Sequence, residues 1–156
     1  MGVSGCGKST VGRLLAARLG LPFLDADEYH PPENVAKMAA GVPLGDADRW
    51  PWLERLNAEL AAADRSGPGA VLACSALKAA YRDVLRRGLP ACRFVHLRGS
   101  RELIAARLAE RRHRYMPASL LDSQFAALEP PGDAIDIDVA QRPDACAELA
   151  AAALRP

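Results

Sequence analysis

Residues 1–10, which read MGVSGCGKST, decide the fold of this 156-residue chain. Residues 2–9 match the pattern G-x-x-x-x-G-K-[S/T] at every fixed position. The glycines of such a loop allow backbone angles at which successive N–H groups point at phosphate oxygens, and the helix that follows directs its positive end at the same anion. The stretch therefore predicts a nucleotide-binding loop in which Lys8 reaches the β- and γ-phosphates and Ser9 binds Mg²⁺.

The residues after the loop supply the helix that this motif requires. Val11, Leu14, Leu15 and Leu19 recur at helical spacing, and Gly20 then ends the segment. Further along, short apolar runs alternate with helical patterns, which is typical of β–α units around a parallel sheet. We therefore expect an α/β fold that forms a single domain over residues 1–156.

The sequence ahead of the loop is too short for the strand that normally carries it. In parallel α/β folds that strand is central, and only Met1 could belong to it here. Without it, two neighbouring strands would lack a partner and the core would contain a hole. We therefore expect that the complete protein begins several residues earlier.

Composition is that of an ordinary globular protein. Half of the residues are apolar, a quarter are charged, and the formal net charge is +1. This balance offers no basic surface for nucleic acid, and no apolar run approaches the roughly 20 residues of a membrane span. The four cysteines are scattered. We interpret them as reduced thiols and expect a cytoplasmic protein with neither a nucleic-acid nor a membrane partner.

Two aspartates follow the apolar run PFL at residues 22–24. On a strand, Asp25 and Asp27 would point the same way, toward the edge where open α/β sheets bind ligands. One carboxylate could hold the water shell of a metal while the other takes the hydroxyl of an acceptor, because phosphoryl transfer depends mainly on positioning and charge neutralisation. The alternative is that both merely cap the junction of strand and loop.

A second polar segment follows the apolar run that ends at Ser75. Lys78, Tyr81 and Arg82 lie on one face of the predicted helix. Two cations and a hydroxyl suit an anionic, polyhydroxylated acceptor. A solvated helix face would show the same pattern, so both interpretations stay open.

A third segment concentrates arginines near an expected loop. Arg107 and Arg111 are four residues apart on a predicted helix, and they could reach the transferring phosphate as a lid closes. A solvated basic helix end, favoured by the helix dipole, is the alternative.

Nearly the whole chain, taken in order, resembles the small bacterial-type gluconokinases of the P-loop small-molecule kinase group. The most specific segments lie within LDADEYHPPENVAKMAAGVPLGDADRWPWL at residues 24–53 and CSALKAAYRDVLR at residues 74–86. The resemblance implies a three-layer P-loop kinase fold with a parallel sheet flanked by helices and a mobile helical lid at about residues 107–125. It also implies a homodimer that transfers the γ-phosphate of ATP to the terminal hydroxyl of D-gluconate.

The resemblance further implies roles for individual residues. Those expected at ATP are Gly2, Val3, Ser4, Gly5, Cys6, Gly7, Lys8, Ser9, Thr10, Gln141 and Arg142. The metal would be held by Ser9 and Asp25. The expected sugar-acid pocket comprises Asp27, His30, Lys37, Arg49, Ser75, Lys78 and Arg82. Catalysis would depend on Lys8, Asp27, Arg107 and Arg111.

Two other functions are compatible with a phosphate loop. One is another small-molecule kinase of the same fold, such as a shikimate kinase, against which the segments DADRWPW and CSALK argue. The other is a nucleotide-binding module without chemistry, which would not need Lys8, Ser9, Asp25 and Asp27 together.

Overall fold

In this computed structural model of the protein, the structure describes residues 1–110 and 118–155. Helices and short strands alternate along these ranges, as the sequence predicts. The helices are α1 (Lys8–Leu19), α2 (Pro32–Ala39), α3 (Asp46–Ser66), α4 (Ala79–Arg86), α5 (Arg101–Glu110), α6 (Ala118–Ala127) and α7 (Pro143–Leu154). The strands are β1 (Phe23–Asp25), β2 (Val71–Ala73), β3 (Val95–Arg98) and β4 (Ile135–Asp138), and a 3₁₀ helix spans Ala26–Tyr29.

The helix boundaries follow local signals in the sequence. Helix α1 begins directly after Gly7 and ends at Gly20, which has a left-handed backbone with φ 66°. Helices α2 and α7 begin at Pro32 and Pro143. Proline is favoured in a first turn because its missing N–H would have no helical partner there.

The strands pair in parallel as two separate two-stranded sheets. Strand β1 pairs with β2 in the register Phe23 to Val71, and β3 pairs with β4 in the register Val95 to Ile135. The first two residues connect the sheets. The Gly2 N–H donates to the Ser75 carbonyl at 3.1 Å, and the Leu97 N–H donates to the Met1 carbonyl at 2.9 Å. The parallel arrangement is confirmed, but the described strands do not form one continuous sheet.

A cavity of about 590 Å³ lies between the two sheets. Residues of both inner strands line it, among them Val71, Leu72 and Val95, together with Leu15 from α1.

Two hydrophobic clusters hold the helices to the sheets. In the first, Val11 and Leu15 of α1 and Ile104 of α5 pack with Ala147 and Ala150 of α7. The small alanines let α7 approach α1 closely. The second cluster comprises Trp52, Leu53, Leu56, Cys74, Tyr81 and Leu85 with smaller neighbours, and it fixes α3 against α4. Within the described ranges, no helix is both long and apolar enough to cross a membrane.

His96 is a buried polar residue of β3. It is 4% exposed, and its Nδ1 lies 2.9 Å from the carboxylate of Asp136 on β4. Burial lowers the pKa of His96 below 6.5, and this effect outweighs Asp136, which acts in the opposite direction. The folded protein therefore holds His96 neutral at a pH where the unfolded chain has begun to protonate it.

Stability should consequently fall in mild acid. Below a pH of about 6.5 the unfolded chain binds a proton at His96 that the folded protein does not, so the free energy of unfolding should decrease by at most about 1.4 kcal/mol per pH unit. Urea unfolding between pH 7.5 and 5.5 measures this slope. His96→Gln should show a shallower slope, with a remainder from His30 and from the Met1 amino group, whose pKa values burial also lowers. An unchanged slope in the variant would exclude His96 as the source.

Candidate active site

The phosphate loop, residues 2–9, packs Gly5 against α5. Gly5 has φ 81°, and a Cβ added there would lie 2.8 Å from Cγ of Leu108. Gly7 has φ 96° and leads directly into α1. Cys6 is 1% exposed, so its thiol lies beneath the loop. Side chains are therefore excluded at Gly5 by both backbone angle and space, as the motif predicts.

Two hydrogen bonds hold the loop. The Lys8 ammonium donates to the Val3 carbonyl at 3.0 Å, and the backbone N–H of Ser4 donates to Oε1 of Gln124 at 2.6 Å. Gln124 belongs to α6 and is not among the residues predicted for the site. No local signal could have found it, because it lies 120 residues away along the chain.

The expected metal-binding pair is formed. The Ser9 hydroxyl donates to Oδ2 of Asp25 at 2.7 Å, and Oδ1 of Asp25 accepts the Asp27 N–H at 3.3 Å. Mg²⁺ favours carboxylate and hydroxyl oxygens and usually retains several waters or phosphate oxygens, so this pair fits the ion. Residues 1–110 and 118–155 contain no cluster of three or more His, Cys, Asp or Glu side chains that would form an all-protein metal cage.

Asp27 does not lie on the strand, contrary to the expectation from alternation. Strand β1 ends at Asp25, and Asp27 belongs to the 3₁₀ helix Ala26–Tyr29. The reason is local, since the Asp25 carboxylate caps that helix by accepting the Asp27 N–H. The two carboxylates remain neighbours at the carboxyl end of β1, but strand alternation does not set their directions.

A cavity of about 310 Å³ lies between the phosphate loop, the end of α5 and the start of α7. Its lining includes Gly5, Cys6, Gly7, Thr10 and Gln141, which are five of the residues expected at ATP, and also Arg107, which is expected to act in catalysis. In this structure the Arg107 guanidinium donates to the Val139 carbonyl at 2.6 Å.

Two further expected residues lie outside this arrangement. Arg142 pairs with Asp144 at 3.0 Å and is 84% exposed. Arg111 lies outside the described residues, and so does part of the expected lid. Of the lid, residues 107–110 end α5 and residues 118–125 belong to α6.

The starts of α3 and α4 form a cluster of charges. Asp46 accepts hydrogen bonds from the Lys78 ammonium at 2.8 and 3.0 Å and from the Tyr81 hydroxyl. The hydrogen bonds from Lys78 and Tyr81 hold the pKa of Asp46 below its usual value, and the bond to Asp46 raises the pKa of Lys78. Arg49 places its guanidinium carbon 5.8 Å from the centre of the Tyr81 ring.

A second ion pair connects α2 to α3. The Lys37 ammonium contacts Asp48 at 2.6 Å. Asn34 is buried, donates to the Asp48 carbonyl at 2.8 Å, and lies 3.4 Å from Nδ1 of His30. His30 in turn stacks on Trp52 with 4.2 Å between the ring centres. Four of the expected sugar-acid residues, His30, Lys37, Arg49 and Lys78, are thus brought to one region around the start of α3.

The cluster is continuous with the phosphate loop. The indole N–H of Trp52 donates to the Ala26 carbonyl at 2.8 Å, directly beside Asp27. Asp25, at the start of the same 3₁₀ helix, bonds Ser9. We call Lys37, Arg49 and Lys78, with their neighbours Asp46 and Asp48, the cation cluster. A connected series of contacts therefore runs from the nucleotide motif through Asp25 and Asp27 to the cation cluster.

The loop after β2 carries Ser75 and is held by Arg82. Arg82 is 5% exposed and donates to the carbonyls of Ala76 and Leu77, both at 3.0 Å. Ala76 has φ 46°, an uncommon angle for alanine that these contacts help to maintain. We interpret Arg82 as a residue that holds this loop in place, and a direct contact of Arg82 with substrate stays a prediction.

Asp46, Asp48, Asn34 and Trp52 are the residues of this site to which the sequence analysis assigned no role. A local signal exists for Asp46 and Asp48, because acidic residues are favoured in the first turn of a helix. Their pairing with lysines of other elements was not visible in the spacing.

Comparison with a curated relative shows the family of this chain. The probable gluconokinase of Rattus norvegicus is 53% identical to this chain, and the match covers 84% of the chain and 80% of that protein. The chain belongs to the gluconokinase family.

Other comparisons agree with membership of the gluconokinase family. The thermosensitive gluconokinase of Escherichia coli is 46% identical over 89% of this chain and 76% of that protein. A crystal structure of a gluconokinase from Sinorhizobium meliloti superposes with a TM-score of 0.89 at 45% identity, covering 99% of this chain and 88% of that one. Residues 4–124 match the family model described as shikimate kinase. The gluconokinase-type chain therefore has the expected P-loop kinase fold, within a broader family that also takes in shikimate kinases.

Proposed function

We propose that this protein transfers the γ-phosphate of ATP to the terminal hydroxyl of D-gluconate and releases 6-phospho-D-gluconate. The observation that carries the proposal is the connected series of contacts from Ser9 through Asp25 and the 3₁₀ helix to the cation cluster at the start of α3. Residues expected at the phosphates lie at one end of this series and residues expected at the sugar acid lie at the other, with Asp27 between them. An acid with a hydroxyl at its far end matches that order, and the family relatives are named for gluconate.

The phosphate loop binds the nucleotide. Its backbone N–H groups and the start of α1 attract the phosphates, and Lys8 exchanges its bond to Val3 for one to the β- and γ-phosphates. The oxygens of Ser9 and Asp25 would hold Mg²⁺, which would neutralise part of the phosphate charge. The 310 Å³ cavity beside Gln141 receives the base.

Asp27 performs the acid–base part of the transfer. Its carboxylate accepts the proton of the terminal hydroxyl as the oxygen attacks the γ-phosphorus and the bond from that phosphorus to the β-bridging oxygen breaks. Arg107 and Arg111 neutralise the charge on the transferring group, within the lid expected at residues 107–125. The cation cluster holds the other end of the sugar acid and so positions the hydroxyl.

An ADP-release assay with gluconate and shikimate tests the proposed function. We expect turnover that depends on gluconate and little with shikimate. Preferential turnover of shikimate would favour the other small-molecule kinase, and ATP binding without any acceptor-dependent ADP release would favour a non-catalytic module.

Lys78→Met should weaken gluconate binding without affecting ATP. The variant removes a donor from the cation cluster, so KM for gluconate should rise about fivefold or more while KM for ATP stays within about twofold. Steady-state kinetics with each substrate varied measures both values. A KM for gluconate equal to that of the wild type would remove Lys78 from the site.

The assembly and location follow from the same proposal. We expect a homodimer, which analytical ultracentrifugation measures directly. Cys6, Cys74, Cys92 and Cys146 are free thiols. They agree with the cytoplasmic location that a reducing compartment and a supply of ATP would favour.

A further inference from the structure

The cation cluster contains three positive side chains, and their ion pairs differ. Lys78 pairs with Asp46 at 2.8 Å, and Lys37 pairs with Asp48 at 2.6 Å. Among residues 1–110 and 118–155, Arg49 forms no ion pair within 4.0 Å. Residues 111–117 and 156 include no aspartate or glutamate, so they add no acidic side chain.

Arg49 is nevertheless placed among the other members of the cluster. It is half-buried on α3 between Asp48 and Trp50, and its guanidinium lies over the Tyr81 ring. It contributes to lowering the pKa of His30, after the larger effect of burial. Asp46 and Asp48 lie close enough for Arg49 to contribute to their lowered pKa values, but neither comes within 4.0 Å of its guanidinium, so that its N–H donors can still pair with an anion.

The net charge of the cation cluster is +1. Lys37, Arg49 and Lys78 contribute three positive charges, and Asp46 and Asp48 contribute two negative charges. Asp27, which the proposed function assigns to the hydroxyl end of the substrate, is not counted in this sum, and the remaining positive charge favours an acid with one carboxylate. The guanidinium also offers two parallel N–H donors that match the two oxygens of a carboxylate, whereas an ammonium acts as a point charge.

Resting on the proposed function, we propose that Arg49 alone recognises the substrate carboxylate, while Lys78 and Lys37, neutralised by Asp46 and Asp48, donate hydrogen bonds to substrate hydroxyls. The pocket then selects an acid over a neutral polyol through one residue. Asp46 and Asp48 act as positioning residues that keep the two lysines in place and prevent them from competing for the carboxylate.

Paired ligands test this division of roles. D-gluconate and D-glucitol carry the same chain of hydroxyls, but glucitol has a CH₂OH group in place of the carboxylate. Isothermal titration of the full chain with each ligand gives a ratio of dissociation constants. A charge-assisted hydrogen-bond pair should make gluconate bind at least about tenfold more tightly than glucitol to the wild type.

Arg49→Gln should reduce that ratio to within about threefold. The matched control is the double variant Asp46→Asn/Lys78→Gln, which removes a cation together with its carboxylate and so leaves the net charge of the cluster unchanged. It should weaken both ligands about equally and retain a ratio of about tenfold or more. Arg49→Lys, which keeps the charge but loses the planar fork, should give an intermediate ratio, and it serves as the test if Arg49→Gln fails to fold.

The outcomes separate this inference from the proposed function. A retained ratio in Arg49→Gln, or a ratio lost in the double variant instead, overturns the role of Arg49 even if the wild type phosphorylates gluconate. A wild type that discriminates through Arg49 but releases no ADP with gluconate supports the inference and overturns the proposed function. Equal binding of the two ligands by the wild type, or binding of neither, also overturns the inference.

Discussion

An Asp27→Asn variant is expected to bind ATP as the wild type does and to lose about 10²- to 10⁴-fold in kcat with gluconate. Asp27 lies on the 3₁₀ helix between the Ser9–Asp25 pair and the cation cluster, and its side chain is exposed. An amide of the same size cannot accept the hydroxyl proton at neutral pH, whereas the phosphate loop does not depend on this side chain. The loss should therefore appear in the transfer step.

Two measurements check the Asp27 prediction. Steady-state kinetics at saturating ATP gives kcat, and isothermal titration gives the affinity for ATP. Glu28→Gln is the matched control, because it removes a carboxylate from the next position of the same 3₁₀ helix, and it should stay within about twofold of the wild type. A comparable loss of ATP affinity in Asp27→Asn would show that Asp27 supports the structure of the site instead.

Lys8→Met should abolish productive use of ATP, with a loss of about 10²- to 10³-fold in kcat. Its ammonium lies 3.0 Å from the Val3 carbonyl, within the loop that receives the phosphates. Methionine preserves much of the length of the side chain but carries no charge, so both nucleotide binding and stabilisation of the transferring phosphate should suffer.

Thermal unfolding with and without MgATP reports the binding part of this effect. A ligand that binds only the folded state raises Tm, so the rise should shrink strongly in Lys8→Met. Arg18→Met removes one positive charge from the last turn of the same helix and should retain the rise. If Lys8→Met kept the full MgATP-dependent rise in Tm, the assignment of residues 2–9 as the phosphate site would be wrong.

Most of the fold was predictable because its signals are local. The helix that begins after Gly7 occurs as expected, and the prolines at the starts of α2 and α7 and the acidic first turn of α3 are signals of the same local kind. The strand ending in two aspartates was predicted only in part. The chain leaves the strand after Asp25 because the backbone N–H of Asp27 donates a hydrogen bond to the Asp25 side chain. This local hydrogen bond favours a 3₁₀ turn over continued strand geometry.

The sequence predicted which residues belong to the candidate site better than it predicted the role of each residue. The resemblance grouped Lys37, Arg49 and Lys78 as equivalent cations. The structure distinguishes them, because Lys37 meets a carboxylate 11 residues away and Lys78 meets one 32 residues away. Arg82 differs again, since its guanidinium is committed to backbone carbonyls of its own loop.

The sequence by itself determined the phosphate loop, the alternation of helices with strands and the family, because these depend on spacing between residues that are close along the chain. Only the tertiary structure decided which cation lacks a carboxylate and which side chain holds the loop amide of Ser4. The physical reason is that an ion pair or hydrogen bond depends on distances of a few ångströms, and packing α3 against α4 and α6 against the loop sets those distances between residues that are remote in sequence.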